Sequence, residues 1–84
     1  MSPELETLDQ LVGGDLPLRV VRGLYPDDAQ FSRGLSGLLH AGEVRLVEDG
    51  VDLPQWRWRE VLADPGAWPN VQVRLTPAGA RRVC

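Results

Sequence analysis

Cysteine and histidine are almost missing from this sequence. The only cysteine is Cys84, so no disulfide can form within the chain, and we expect an exposed thiol without a role. The only histidine is His40. Zinc sites need three or four converging ligands, and nucleophilic catalysis needs a base beside the nucleophile. The inventory therefore predicts no metal site, no cofactor and no enzymatic activity.

Long apolar stretches are missing as well. No run approaches the roughly 20 apolar residues that span a bilayer. The first ten residues, MSPELETLDQ, are acidic where a signal peptide is basic. We therefore expect a cytoplasmic protein with no membrane partner.

Lysine is absent, so all nine basic residues are arginine, against twelve acidic residues. The net charge of -3 argues against a strong non-specific binder of polyanions. The charge is unevenly distributed, since residues 1–15 carry only acids and residues 71–84 carry three arginines and no acid. Arginine suits phosphates, guanine edges and carboxylates equally, so this choice of base does not select the partner.

The chain does have enough apolar sequence for one small domain, residues 1–84. Apolar residues make up 43% of it and charged residues 25%, which is typical of a globular protein. A chain of this length buries only about 60 to 65 per cent of its unfolded surface, so its core has to be efficient. We expect no second domain.

Two helices are predicted near the start of the chain. Ser2 suits a helix cap, and apolar residues recur at helical spacing from Leu5 to Val12 before Gly13 and Gly14 end the pattern. Residues 18–25, LRVVRGLY, favour a second, short helix. Their adjacent β-branched valines leave a strand open as the alternative.

A third helix is predicted at about residues 28–41. Asp27 or Asp28 can cap it, and Gly42 supplies the left-handed residue that ends it. Its apolar positions form one stripe at spacings of four, seven and eight residues. These positions are Phe31, Leu35, Leu38 and Leu39.

Two strands follow the third helix. Residues 43–47, EVRLV, alternate in polarity, and Asp49 and Gly50 are a preferred pair for a tight hairpin turn. Residues 71–75, VQVRL, are long enough to pair antiparallel with the first strand. Thr76 then caps a final short helical turn.

All three tryptophans lie in an insertion, residues 51–70, between these strands. Pro54 suits a helix start, so we favour a helix there. Its apolar face would be made by Trp58, Val61 and Leu62. The alternative is a strand with Trp56 and Trp58 on one side.

The tryptophans have three interpretations. We favour the first, in which Trp58 and Trp68 supply bulk to a small core and Trp56 is half exposed. In the second, the stretch WRWRE stacks single-stranded bases while its arginines take phosphates. In the third, an exposed Trp56 forms a protein interface, where aromatic residues and arginine are enriched. The candidate interface residues are Leu53, Trp56, Arg57 and Arg59.

The order of three helices and two strands around a loop resembles the winged helix-turn-helix. Residues 75–79, LTPAG, are similar to the LTPxG that closes the wing in MarR-like and related winged-helix regulators. Residues 35–47, LSGLLHAGEVRLV, are similar to the end of their recognition helix and their first wing strand. The resemblance covers roughly residues 3–50 and 71–83. It implies an α+β fold with about three helices, a small antiparallel sheet and a helical or loop insertion in the wing.

The resemblance also implies that the third helix enters a major groove of DNA. Arg33 would contact guanine and Gln30 adenine, each bidentate pair discriminating by about 1 to 3 kcal/mol. The alternative is that this face is simply solvated. The candidate DNA-binding residues are Gln30, Arg33, Ser36, Gly37, His40 and Arg45.

Two features depart from the MarR-like pattern. Only five residues follow Gly79, so we expect no long dimerisation helix. The wing tip of that family is not matched either, because the tryptophan insertion takes its place.

Two functions follow from these observations. The first is a DNA-binding winged-helix module in transcription regulation, with double-stranded DNA as its partner. The alternative is a protein-interaction module that keeps the winged fold. It would use the tryptophan-rich segment, residues 53–68, to form a homodimer or to dock a protein partner. The order of the helices favours the first function, and the net acidity favours the second.

Overall fold

The computed structural model describes residues 2–83, so Cys84 and the expectation of an exposed thiol lie outside them. The described chain is an α+β fold with six helices, one of them a 3-10 helix, and a four-stranded sheet. In chain order the elements are α1 (Pro3–Leu11), β1 (Leu16–Pro17), α2 (Leu18–Arg22), α3 (Asp28–His40), β2 (Val44–Glu48), β3 (Val51–Asp52), α4 (Gln55–Ala63), the 3-10 helix (Pro65–Asn70), β4 (Val71–Leu75) and α5 (Pro77–Val83).

The sheet has the strand order β1–β4–β2–β3, and all neighbours are antiparallel. Its centre is the predicted pair of β2 and β4, with Leu46 opposite Val73. The predicted hairpin turn joins β2 to β3, and φ is 51° at Asp49 and 81° at Gly50. Positive φ at both turn residues matches the twist of the flanking strands. The predicted pairing and turn are therefore confirmed.

The first two predicted helices are confirmed. The hydroxyl of Ser2 caps α1 by accepting a hydrogen bond from the N–H of Leu5 at 3.2 Å. Val12 lies just beyond the end of α1 and is exposed, although its spacing predicted a place on the apolar stripe. Residues 18–22 form α2 and not the alternative strand, burying Leu18 and Val21.

The third helix, α3, has the predicted inner face. Asp27 caps it, since its carboxylate accepts a hydrogen bond from the N–H of Gln30 at 2.8 Å. Gly42 follows it with φ 73°, the left-handed conformation that ends helices. The predicted stripe is buried in the core and consists of Phe31, Leu35, Leu38 and Leu39. This packing directs the other face of α3 away from the core.

The LTPAG stretch, residues 75–79, forms a junction between the start of α5 and the residues that precede β2. Thr76 caps α5 by accepting a hydrogen bond from the N–H of Gly79 at 3.1 Å, and its hydroxyl donates to the carbonyl of Gly42. Gly79 lies so close to Glu43 that a Cβ would overlap the Glu43 carbonyl. Arg82 holds the Glu43 carboxylate at 2.7 Å. This stretch therefore joins the start of α5 to the residues that lead into β2.

The insertion folds as β3, α4 and the 3-10 helix. Trp68 is buried and its ring centroid lies 5.3 Å from that of Phe31. Trp58 is partly buried against the same core. Trp56, by contrast, is 76% exposed, more than the expected half. The helical interpretation of residues 55–63 and the core role of Trp58 and Trp68 are confirmed.

The arrangement of α1, β1, α2 and α3 ahead of the β2–β4 pair is consistent with a small winged-helix-like fold. Within the sheet, β4 lies between β1 and β2. The insertion, residues 51–70, begins with strand β3 of the hairpin and ends just before β4. Among residues 2–83, no helix combines the length and the apolar character needed to cross a bilayer.

Two glycines of α3 should respond in opposite ways to alanine. A Cβ at Gly37 would meet no atom within 4 Å, so Gly37→Ala should raise the free energy of unfolding by about 0.5 to 1 kcal/mol. A Cβ at Gly34 would lie 2.7 Å from the ring of Tyr25, so Gly34→Ala should lower it by roughly 1 to 3 kcal/mol. Urea unfolding followed by circular dichroism measures both. Shifts of the same sign would contradict the packing of Tyr25 against α3.

Candidate functional site

The outward face of α3 is only partly open. Ser36 is half-buried, and the other predicted DNA-binding residues of this helix are exposed, namely Gln30, Arg33, Gly37 and His40. The ring centroid of His40 lies 5.3 Å from that of Trp58 in α4. Its Nδ1 lies 3.5 Å from the side-chain nitrogen of Gln55. The C-terminal half of the face therefore contacts the insertion.

A cleft of about 670 Å³ separates α3 from α4. We call it the α3–α4 cleft. Its residues recur at helical spacing on both helices, so the cleft runs along them. From α3 it is lined by Ala29, Ser32, Arg33, Ser36 and His40, and from α4 by Gln55, Trp56, Trp58, Arg59 and Leu62.

Two tryptophan N–H groups determine how α4 lies. Trp58 donates its Nε1 hydrogen to the carbonyl of Leu53 at 3.2 Å, and Trp68 donates to the carbonyl of Val61 at 2.7 Å. A buried indole N–H needs such a partner, so these bonds fix the two ends of the helix. The exposed ring of Trp56 is left at the edge of the cleft.

The arginines divide into paired and unpaired sets. Among the described residues, five arginines form ion pairs with carboxylates, namely Arg22, Arg45, Arg57, Arg74 and Arg82. The other four described arginines, Arg19, Arg33, Arg59 and Arg81, form none, and of these Arg33 and Arg59 line the α3–α4 cleft. No carboxylate of residues 2–83 lines this cleft. An acidic chain therefore has a locally cationic cleft.

The remaining predicted site residues lie outside the cleft. Arg45 is on β2 and pairs with Asp52 at 2.9 Å, while Arg57 pairs with Glu48 at 3.3 Å. Both arginines are partly neutralised by carboxylates of the hairpin. Leu53 is buried in the core and its N–H donates to the carbonyl of Leu46. These positions offer little free charge or apolar surface to a ligand.

The opposite flank of α3 carries both acidic and basic side chains. A second cavity there, of about 440 Å³, is lined by Arg33 together with Glu4, Glu43 and Arg82. Burial raises the pKa of the nearby Tyr25 above its ordinary value, and the charge of Glu4 acts in the same direction. Tyr25 is therefore neutral at neutral pH and adds no charge to this flank.

The side chains of the cleft determine which chemical groups it offers to a ligand. In residues 2–83, no group of three His, Cys, Asp or Glu side chains could hold a metal ion. Ser36 and His40 lie one turn apart, but the imidazole of His40 contacts the side chain of Gln55. The cleft instead offers two guanidinium groups, an indole ring and small polar side chains.

The sequence predicted two separate surfaces. Arg33 was a candidate DNA-binding residue, and Trp56 and Arg59 were candidate protein-interface residues, whereas all three line one cleft. Gln55 and Ser32 were not predicted as site residues at all. For Gln55 the available signal was its spacing from Arg59, because on a helix two residues four positions apart lie one turn apart on the same side.

The exposure of Trp56 and the anchoring of Trp58 lead to a prediction about stability. Trp58→Ala removes ring packing and the hydrogen bond to Leu53, so it should lower the free energy of unfolding by about 2 to 4 kcal/mol. Trp56→Ala should change it by less than about 0.5 kcal/mol, because the side chain is exposed. Chemical denaturation of both variants measures this. A large loss with Trp56→Ala would show that this ring is packed.

Comparison of the chain with models of protein families, with curated proteins and with solved structures found no match.

Proposed function

We propose that this chain is a cytoplasmic DNA-binding module and that the α3–α4 cleft is the surface that contacts DNA. One observation carries the proposal. Arg33 and Arg59 have no carboxylate partner among the described residues and line one cleft that contains no acid, in a chain of net charge -3. Unpaired guanidinium groups attract phosphates and bind them through paired N–H groups.

The residues of the cleft have distinct roles in this proposal. Arg33, at the middle of α3, and Arg59, on α4, contact phosphates from the two sides of the cleft. Gln30 does not line the cleft, but it lies one turn before Arg33 and supplies an exposed amide to a base or a sugar. Ser32 and Gln55 line the cleft and extend this polar surface. A regulatory role in transcription is the use for such a module that we propose.

The charge of the chain limits the affinity. Only a few phosphates can be contacted, and the net negative charge opposes approach of a polyanion outside the cleft. Each neutralised phosphate contributes a slope of about -0.7 to -0.9 to the dependence of log affinity on log salt concentration. We therefore expect weak binding that is strongest at low salt.

Four alanine variants test the proposal, because each removes one unpaired arginine. Arg33→Ala and Arg59→Ala should weaken DNA binding and each reduce the salt slope by about one. Arg19→Ala and Arg81→Ala remove the same charge from exposed positions that do not line the cleft, so they should have little effect. Fluorescence anisotropy with labelled single-stranded and double-stranded DNA at several salt concentrations measures the affinity and its salt slope for each variant. Absence of binding to either form at low salt would refute the proposal.

A second candidate function is favoured by the exposure of Trp56. Its ring is 76% exposed beside Arg59, and tryptophan and arginine dominate the energetics of many protein interfaces. This module would associate with a second copy or dock another protein through residues 53–68. Of these residues, Leu53 and Trp68 are buried, so Trp56 and Arg59 would carry the contact.

Light scattering distinguishes self-association from the first proposal. If Trp56 lies in a homodimer, the wild type should show a concentration-dependent dimer that Trp56→Ala converts to monomer. Val12→Ala is a matched control, because Val12 is an exposed apolar residue outside the insertion. A monomer at every concentration for the wild type would exclude the homodimer.

A further inference from the structure

The position of α4 restricts the form of DNA that α3 can meet. A helix with its side chains is about 10 to 12 Å wide, and the major groove of B-form DNA is about 12 Å wide. α4 flanks α3, since residues of α3 from Ala29 to His40 line the cleft together with α4. The two helices side by side are therefore wider than a single helix, which by itself nearly fills the major groove.

The hairpin is equally unsuited to a duplex. Glu48, Asp49 and Asp52 surround its turn, where a wing would meet the phosphates. Arg45 and Arg57 are bound to two of these carboxylates, and Arg74, which lines a cavity with the turn residues, is bound to Asp15. With these arginines in ion pairs, the hairpin offers little positive charge to the backbone of a duplex that lay along α3.

We propose that the α3–α4 cleft binds single-stranded nucleic acid, with one base stacked on Trp56 and the backbone held between Arg33 and Arg59. The inference rests on the proposed function and names its ligand. Proteins that bind single strands combine a cationic groove with aromatic rings on which bases stack. The cleft has both features, because the exposed indole of Trp56 and the two unpaired guanidinium groups line the same space.

The size and polarity of the cleft agree with this ligand. Its volume of about 670 Å³ lies within the usual 300 to 1,000 Å³ of pockets that enclose small organic ligands. That volume accommodates a short stretch of strand. Ser32, Ser36 and Gln55 offer hydroxyl and amide groups to base edges. An acidic peptide would satisfy the arginines but supplies no planar ring for Trp56.

The test compares strand forms of equal length. Labelled oligothymidylate of about 12 nucleotides, its duplex with oligoadenylate, and polyglutamate of matched charge are titrated against the full chain at low salt. The single strand should bind tightest and should quench tryptophan fluorescence. Trp56→Ala should weaken single-strand binding roughly 5- to 150-fold, the equivalent of one stacked base. Trp56→Phe, which retains an aromatic ring, should restore most of the affinity.

The outcomes separate this inference from the proposed function. Equal or tighter binding of the duplex, or no loss with Trp56→Ala, would overturn the single-strand inference and leave DNA binding in place. Equal binding of polyglutamate would overturn it in favour of an acidic protein segment. Failure of both DNA forms to bind would overturn the proposed function itself. Labelled oligouridylate distinguishes RNA from DNA as the source of the single strand. If it binds more tightly than oligothymidylate and loses affinity in the same way with Trp56→Ala, the single strand is RNA. Arg19→Ala is the charge control, and circular dichroism of each variant verifies folding.

Discussion

The docking of α4 against the core is the constraint on which the rest of the surface depends. The indole N–H groups of Trp58 and Trp68 each donate to a backbone carbonyl, and Trp68 packs against Phe31 of α3. Because burial of an indole without a hydrogen-bond partner is costly, the helix has little freedom to rotate or move away. Trp56 and Arg59 are consequently held beside α3, and α4 forms one wall of the α3–α4 cleft.

The ion pairs determine where positive charge remains. Exposed pairs such as that of Arg45 with Asp52 contribute only about 0 to 1 kcal/mol to stability. Their larger effect is on the distribution of charge, because they neutralise the hairpin while Arg33 and Arg59 stay unpaired. A domain of net charge -3 can in this way present a cationic cleft beside a hairpin whose carboxylates are largely paired. Net charge alone is therefore a poor guide to the partner of this chain.

Much of the fold was predictable because its signals are local. The cap at Asp27, the left-handed Gly42 and the turn at Asp49 and Gly50 each depend on residues a few positions apart. The same holds for the buried stripe of α3, which follows from helical spacing. The two-residue strand β1 carried only a weak signal, since its structure comes from pairing with β4 much later in the chain. The exposed position of Val12 was mispredicted because the helix ends one residue earlier than its apolar spacing indicates.

The amino-acid sequence by itself determined the α+β class, the α-helices, the central strand pair, the turn and the inward direction of Phe31 and its leucines. Only the tertiary structure decided which arginines are neutralised and that Arg33, Trp56 and Arg59 line one cleft. Helical spacing and turn chemistry act over a few residues, and the sequence shows them directly. The distance between α3 and α4 instead depends on how side chains far apart in the chain pack together, and no local pattern specifies that distance.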